Sequence, residues 1–158
     1  MRSHVTAAVV ALCLAPAVLT AQGPPRLGGQ VSVAQDVNAG LGLRLELPLS
    51  RALARDLRVA VAFDYFFPGS ALDYWEVNPD LLWGFPLTGT RIALYAGAGL
   101  NIAHTSRSGI PRASTTDLGV NLLGGVRFGT ATRLTPYAEL RPELGGGDRL
   151  VVTLGLLF

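Results

Sequence analysis

Period-2 alternation is the feature that most limits how this chain can fold. From about residue 30 onward, apolar residues recur at every second position. They do so in runs of about ten residues, punctuated by Gly, Pro, Asn and Asp. Such alternation belongs to strands whose two faces meet different surroundings. Helical periodicity is poor, and Gly, at 19 residues, recurs too often for long helices. Eight segments follow from this pattern: 30–35, 40–48, 57–67, 74–85, 91–104, 116–129, 135–144 and 149–158. The first is short, and an earlier start near Leu27 would bring it to the length of the others. An even count allows a closed up-and-down barrel with both ends of the chain on one side.

Each segment carries its charges on one face only. In 74–85, Glu76 and Asp80 oppose Trp75, Val77, Leu81, Trp83 and Phe85. In 40–48, Arg44 and Glu46 oppose four leucines. Alternation does not say which face points inward. A soluble, lipocalin-like carrier buries its apolar face, whereas a membrane barrel exposes it. Volume favours the second, because an eight-stranded barrel has room only for side chains. The charged face is thinned by small residues such as Gly42, Ala60, Ala62, Gly97, Gly99 and Gly125, which suits a narrow interior. The opposite face is crowded with Leu, Val, Phe and Trp.

The predicted lumen set is Arg44, Glu46, Arg58, Asp64, Glu76, Asp80, Arg91, Asp117, Arg127, Glu139, Arg141 and Glu143. Buried charges must be paired, so these residues should form a plug of Arg–carboxylate contacts. Aromatic girdles are expected from Tyr65, Phe67 and Trp75 at one level and from Trp83, Phe85, Phe128 and Phe158 at the other. Segments 49–56, 86–90 and 130–134 would be periplasmic turns. The stretch 105–115, the longest link, would be extracellular and mildly basic through His104, Arg107 and Arg112.

The first residues read as an address. Arg2 precedes the apolar run 5–19, which is too short to span a bilayer. Small-residue exits follow at Ala17 and Ala21. A signal peptide over 1–21, cleaved after Ala21, leaves the barrel over 28–158. Cys13, the single cysteine, lies inside that signal. The mature chain would therefore carry no disulfide, Cys-ligated metal or Cys nucleophile.

Other chemistry finds little support. "GLGLRL", "GAGLNI" and "GGVRFG" do not lead from a strand into a helix, as a phosphate loop would. Glu76/Asp80 and Glu139/Glu143, four residues apart on a strand, stand about 13 Å apart, too far for a glycosidase pair. A rim enzyme built on His104 with Ser106, Ser108 and Asp117 is a thin case. No cofactor, metal or nucleic-acid site is expected. Charged residues make up 15% of the chain, against about 25% in ordinary domains.

The closing "RLVVTLGLLF", with Leu150, Val152, Leu154, Leu156 and Phe158 alternating, resembles the C-terminal assembly signal of bacterial outer-membrane barrels. With "DYFFP" (64–68), "YAGAGLNI" (95–102) and "DLGVNLLGGVRFG" (117–129), the chain resembles the small eight-stranded OmpX and OmpA-barrel type over 28–158. That resemblance implies an all-β, eight-stranded antiparallel transmembrane barrel in the outer membrane of a Gram-negative envelope. It implies contact with outer-membrane lipid, and recognition of the last strand by the barrel-assembly machinery. Two roles follow as expectations. One is a closed, non-catalytic barrel with a structural or surface-interaction role, meeting lipopolysaccharide or a surface ligand at 105–115. The other is a narrow porin-like channel for ions or small solutes.

Overall fold

A computed structural model describes residues 23–49, 56–69, 72–107, 113–145 and 148–158. The proposed signal 1–21 lies outside the described residues. Eight strands follow in order: β1 (Arg26–Ala34), β2 (Asn38–Pro48), β3 (Leu57–Phe66), β4 (Leu72–Pro86), β5 (Ile92–Arg107), β6 (Ala113–Phe128), β7 (Thr135–Leu144) and β8 (Arg149–Leu157). Each pairs antiparallel with its sequence neighbours, and β1 pairs with β8, so the sheet closes on itself. No helix among the described residues is long and apolar enough to cross a membrane, which says nothing of crossing by strands.

Closure runs through the last residue. The Phe158 N–H donates to the Leu27 carbonyl at 2.8 Å, and the Leu27 N–H to the Phe158 carbonyl at 3.2 Å. One end of the barrel, here the lower end, carries Arg26 and Phe158. The link β2–β3 and the turns β4–β5 and β6–β7 lie at that same end, while the other four turns lie at the upper end.

The strands differ from the sequence reading in two useful places. β5 and β6 continue into the stretch assigned to a loop: Thr105 pairs with Thr115, and Ser106 with Ser114. Their hydroxylated, partly β-branched side chains suit an extended ladder. Residues 108–112 between them lie outside the described residues, and the longest interval between strands is instead 49–56. Arg91 precedes β5 and is exposed, so it stands outside the interior to which it was assigned.

The two faces separate sharply. Leu43, Leu118 and Leu154 are 69%, 70% and 62% exposed on the outside, while Arg44 and Arg141 are 1% and 0% exposed within. Two inward apolar groups bracket the buried charges. Ala34, Phe66, Tyr74 and Val151 cluster toward the upper end, and Ala60, Leu82, Tyr95 and Leu123 toward the lower.

Candidate functional site: the charged interior

The interior is built from alternate positions of all eight strands. Its lower half centres on Glu46, from β2. Arg44 Nε donates to Glu46 Oε1 at 2.9 Å, and Arg127 Nη2, from β6, donates to the same oxygen at 2.9 Å. Arg58 Nη1 lies 3.9 Å from Glu46 Oε2. Arg44 Nη1 also donates to Glu139 Oε2 at 2.9 Å, an oxygen that accepts from the Tyr95 hydroxyl at 2.8 Å.

The upper half centres on Arg141, from β7. Its Nε donates to Glu143 at 3.0 Å, and its Nη2 reaches Asp64 at 3.3 Å and also Glu76. Asp64 further accepts from Gln30 at 2.7 Å and from Ser32 at 3.0 Å. Arg149 pairs with Glu143 at 3.5 Å. Glu139 joins the halves, since its second oxygen lies 4.0 Å from Arg141 Nη1. Positive and negative groups therefore alternate through a single connected ladder. Mutual pairing is what makes so many buried charges tolerable.

Tyrosines and glycines hold the ladder in place. Arg127 stacks over the Tyr95 ring at 4.1 Å, Arg44 over Tyr137 at 5.0 Å, and Arg149 over Tyr74 at 4.6 Å. Two of these rings lie against a glycine. A Cβ on Gly125 would overlap the Tyr95 ring, and one on Gly155 the Tyr137 ring. Arg127 and Arg44 are thus each held on a ring that has room only because the neighbouring position lacks a side chain.

Asp80 departs from this pattern. It accepts from Asn121 Nδ2 at 3.1 Å and has no arginine in ion-pair range among the described residues. Around it, Asn101 and Asn121 each donate to Asn78 Oδ1 at 2.9 Å. Pro79 has no N–H to give to the β4–β5 ladder, which is interrupted there. The Leu100 carbonyl beside it accepts from Asn121 Nδ2 instead, at 3.2 Å.

Ten of the twelve predicted lumen residues thus lie in the interior with hydrogen-bonding or ion-pair partners. Arg91 is exposed. Asp117 is half-buried on the inward face without a side-chain partner among the described residues, because β7 ends at Leu144 opposite Val120 and leaves the top of β6 unflanked. The list omitted Gln30, Ser32, Tyr74, Asn78, Tyr95, Asn101, Asn121, Tyr137, Arg149 and Thr153. All share the inward phase of their strands, and that phase is the signal that finds them.

On the outside, Tyr65, Trp75 and His104 follow one another across β3, β4 and β5. His104 stacks on Trp75 at 5.0 Å and lies 2.9 Å from Thr116 Oγ1. It faces outward beside the girdle and makes no hydrogen bond to Ser106 or Asp117, while Ser108 lies outside the described residues. Phe63 joins this upper belt against Trp75 at 6.1 Å. Trp83 and Phe85 stack at the lower level, where Phe128 and Phe158 are also exposed. Among the described residues, no group of His, Cys, Asp and Glu is arranged to hold a metal.

No family model matches the chain, and no curated protein matches it. Solved structures share its fold. The N-terminal β-barrel domain of Pseudomonas aeruginosa OprF superposes with a TM-score of 0.65 at 16% identity, covering 87% of this chain and 98% of that one. Neisserial surface protein A gives 0.62 at 17%, covering 84% and 94%. Ail, the attachment invasion locus protein of Yersinia pestis, gives 0.57 at 16%, covering 84% and 93%. The architecture is that of the eight-stranded outer-membrane barrels.

Proposed function

We propose that this chain is an integral outer-membrane β-barrel with a closed lumen, serving a structural or surface-interaction role rather than catalysis or conduction. The observation that carries this reading is the inversion of the two faces. Large apolar side chains stand exposed around the outside, while Arg44, Asp64, Glu76 and Arg141 are fully or almost fully buried. In water, such a surface greatly exceeds the apolar patches that soluble monomers expose. In a bilayer it is the expected lipid-facing band, and a closed ring leaves no unpaired sheet edge in hydrocarbon. Outer-membrane lipid is then the principal partner. β8 would be the strand read by the barrel-assembly machinery, and the β5–β6 hairpin the part offered to lipopolysaccharide or another surface ligand.

Cell fractionation with heat-modifiable gel migration tests the placement. The chain should sediment with the outer membrane and migrate faster unheated than boiled. Recovery from the soluble fraction without detergent would refute the reading. Planar-bilayer recording tests closure: the ladder should keep the protein silent, and sustained single-channel openings would favour the narrow channel.

A further inference from the structure

Asp80 and Asn121 share one row of the barrel wall. Asp80, on β4, pairs with Gly99 on β5, and Gly99 pairs with Asn121 on β6. A Cβ on Gly99 would overlap Asp80 Oδ1. The missing side chain is what lets the carboxyl and the amide meet over β5. Both groups are sealed inside, with Asp80 3% and Asn121 0% exposed.

Hydrogens are short around this pair. Asn121 Nδ2 has two, and three acceptors share them: Asn78 Oδ1 at 2.9 Å, Asp80 Oδ1 at 3.1 Å and the Leu100 carbonyl at 3.2 Å. Turning the Asn121 amide over would set its oxygen against the same three acceptors, so its orientation is fixed. Three buried side-chain oxygens among the described residues accept no hydrogen bond. One, Glu139 Oε1, lies 4.0 Å from Arg141 Nη1. The other two are Asp80 Oδ2 and Asn121 Oδ1, on groups that already share a bond.

Charge gives a second, independent count. Among the described residues, the ion pairs of the ladder join five arginines to five carboxylates, and Asp80 takes part in none of them. At its flanks β3 presents Ala60 and β5 presents Gly99. The charged groups that act on it are Arg141 and Glu139 from β7 and Arg44 from β2. Each of these is already ion-paired. On its own strand, Glu76 is bonded to Arg141.

We infer that Asp80 holds a proton in the folded barrel and forms a cyclic acid–amide pair with Asn121. The Oδ2 hydroxyl donates to Asn121 Oδ1, while Oδ1 accepts from Asn121 Nδ2. One hydrogen then satisfies both orphaned oxygens, and the ladder is neutral without a sixth cation. The pair ties β4 to β6 beside Pro79, where the β4–β5 ladder is interrupted. The proton is therefore a latch across that gap, and alkali releases it. This inference rests on the interior geometry and not on the role proposed above.

Carbon-13 NMR of the folded full chain in detergent micelles reads the state of Asp80 directly. Its assigned side-chain carboxyl carbon should show the shift of a protonated acid at neutral pH. The shift of a carboxylate there overturns the inference. Asp80→Asn gives a second readout, because an amide at that position can make the same two bonds. The folded wild type holds one proton more than the unfolded chain, whose aspartate ionises at about pH 4. Rising pH should therefore disfavour wild-type folding relative to the variant. From about pH 5 to about pH 7 the wild-type folding constant, measured in urea, should fall about a hundredfold against that of Asp80→Asn. An equal pH dependence of the two proteins overturns the latch.

Discussion

Arg141 is the residue on which most of the upper interior depends, because Asp64, Glu76 and Glu143 all bond to it. Replacing it with Met keeps much of the volume and removes the cation that three buried carboxylates share. Breaking a buried pair in this way costs about 3–5 kcal/mol, to be read as a lower urea midpoint in micelles. Gly125 is a second sensitive position. A methyl there meets both the Tyr95 ring and the Ala138 carbonyl, and overpacking of this kind costs about 1–3 kcal/mol. Gly124, one residue away, has only the Tyr95 carbonyl oxygen near its Cβ position, at 3.9 Å. Gly124→Ala should therefore leave the midpoint close to wild type, and an equal loss at both positions would refute the ring-clamp account.

At the scale of the strand, phase decides everything. Leu154 lies midway along β8 and is 62% exposed on the outer face. Leu154→Arg should cost about 2–4 kcal/mol in a bilayer, the usual penalty for a cation on the lipid face near the midplane. The check is the folded fraction in lipid vesicles, with Thr153→Ser, on the inward face, as the mild reference. Deleting Phe158 removes both backbone bonds that tie the chain end to Leu27. The heat-modifiable folded band should weaken in that truncation. Most of the strand layout was legible in the sequence because a one-residue slip would turn a whole charged face toward lipid. What escaped were the ends. The Ser/Thr-rich stretch 105–107 and 113–115 looks like loop composition yet pairs across β5 and β6, because hairpin pairing supplies what composition does not.

For the molecule as a whole, the proposal of a closed lumen rests on the interior ladder. Arg44 and Arg141 each block part of the lumen with a buried side chain, and Glu139 links them. A double Arg44→Ala, Arg141→Ala variant that still shows heat-modifiable migration should give discrete channel openings where the wild type is silent. Silence in both would assign the seal to the apolar groups around Phe66 and Leu82 instead.

The sequence alone determined that the chain is all-β, where most strands lie and which residues share a face. Those properties follow from alternation, which is local and is written into neighbouring residues. Volume, read from where the glycines and alanines fall, even indicated which face is inside. Only the closed structure decided who pairs with whom. That Arg141 meets Asp64 and Glu76 from across the barrel, that Asp80 meets Asn121 rather than an arginine, and that Arg91 is left outside all depend on register and strand length around the ring. A partner on a distant strand leaves no trace in the pattern of its own segment, because the distance that matters is measured across the lumen and not along the chain.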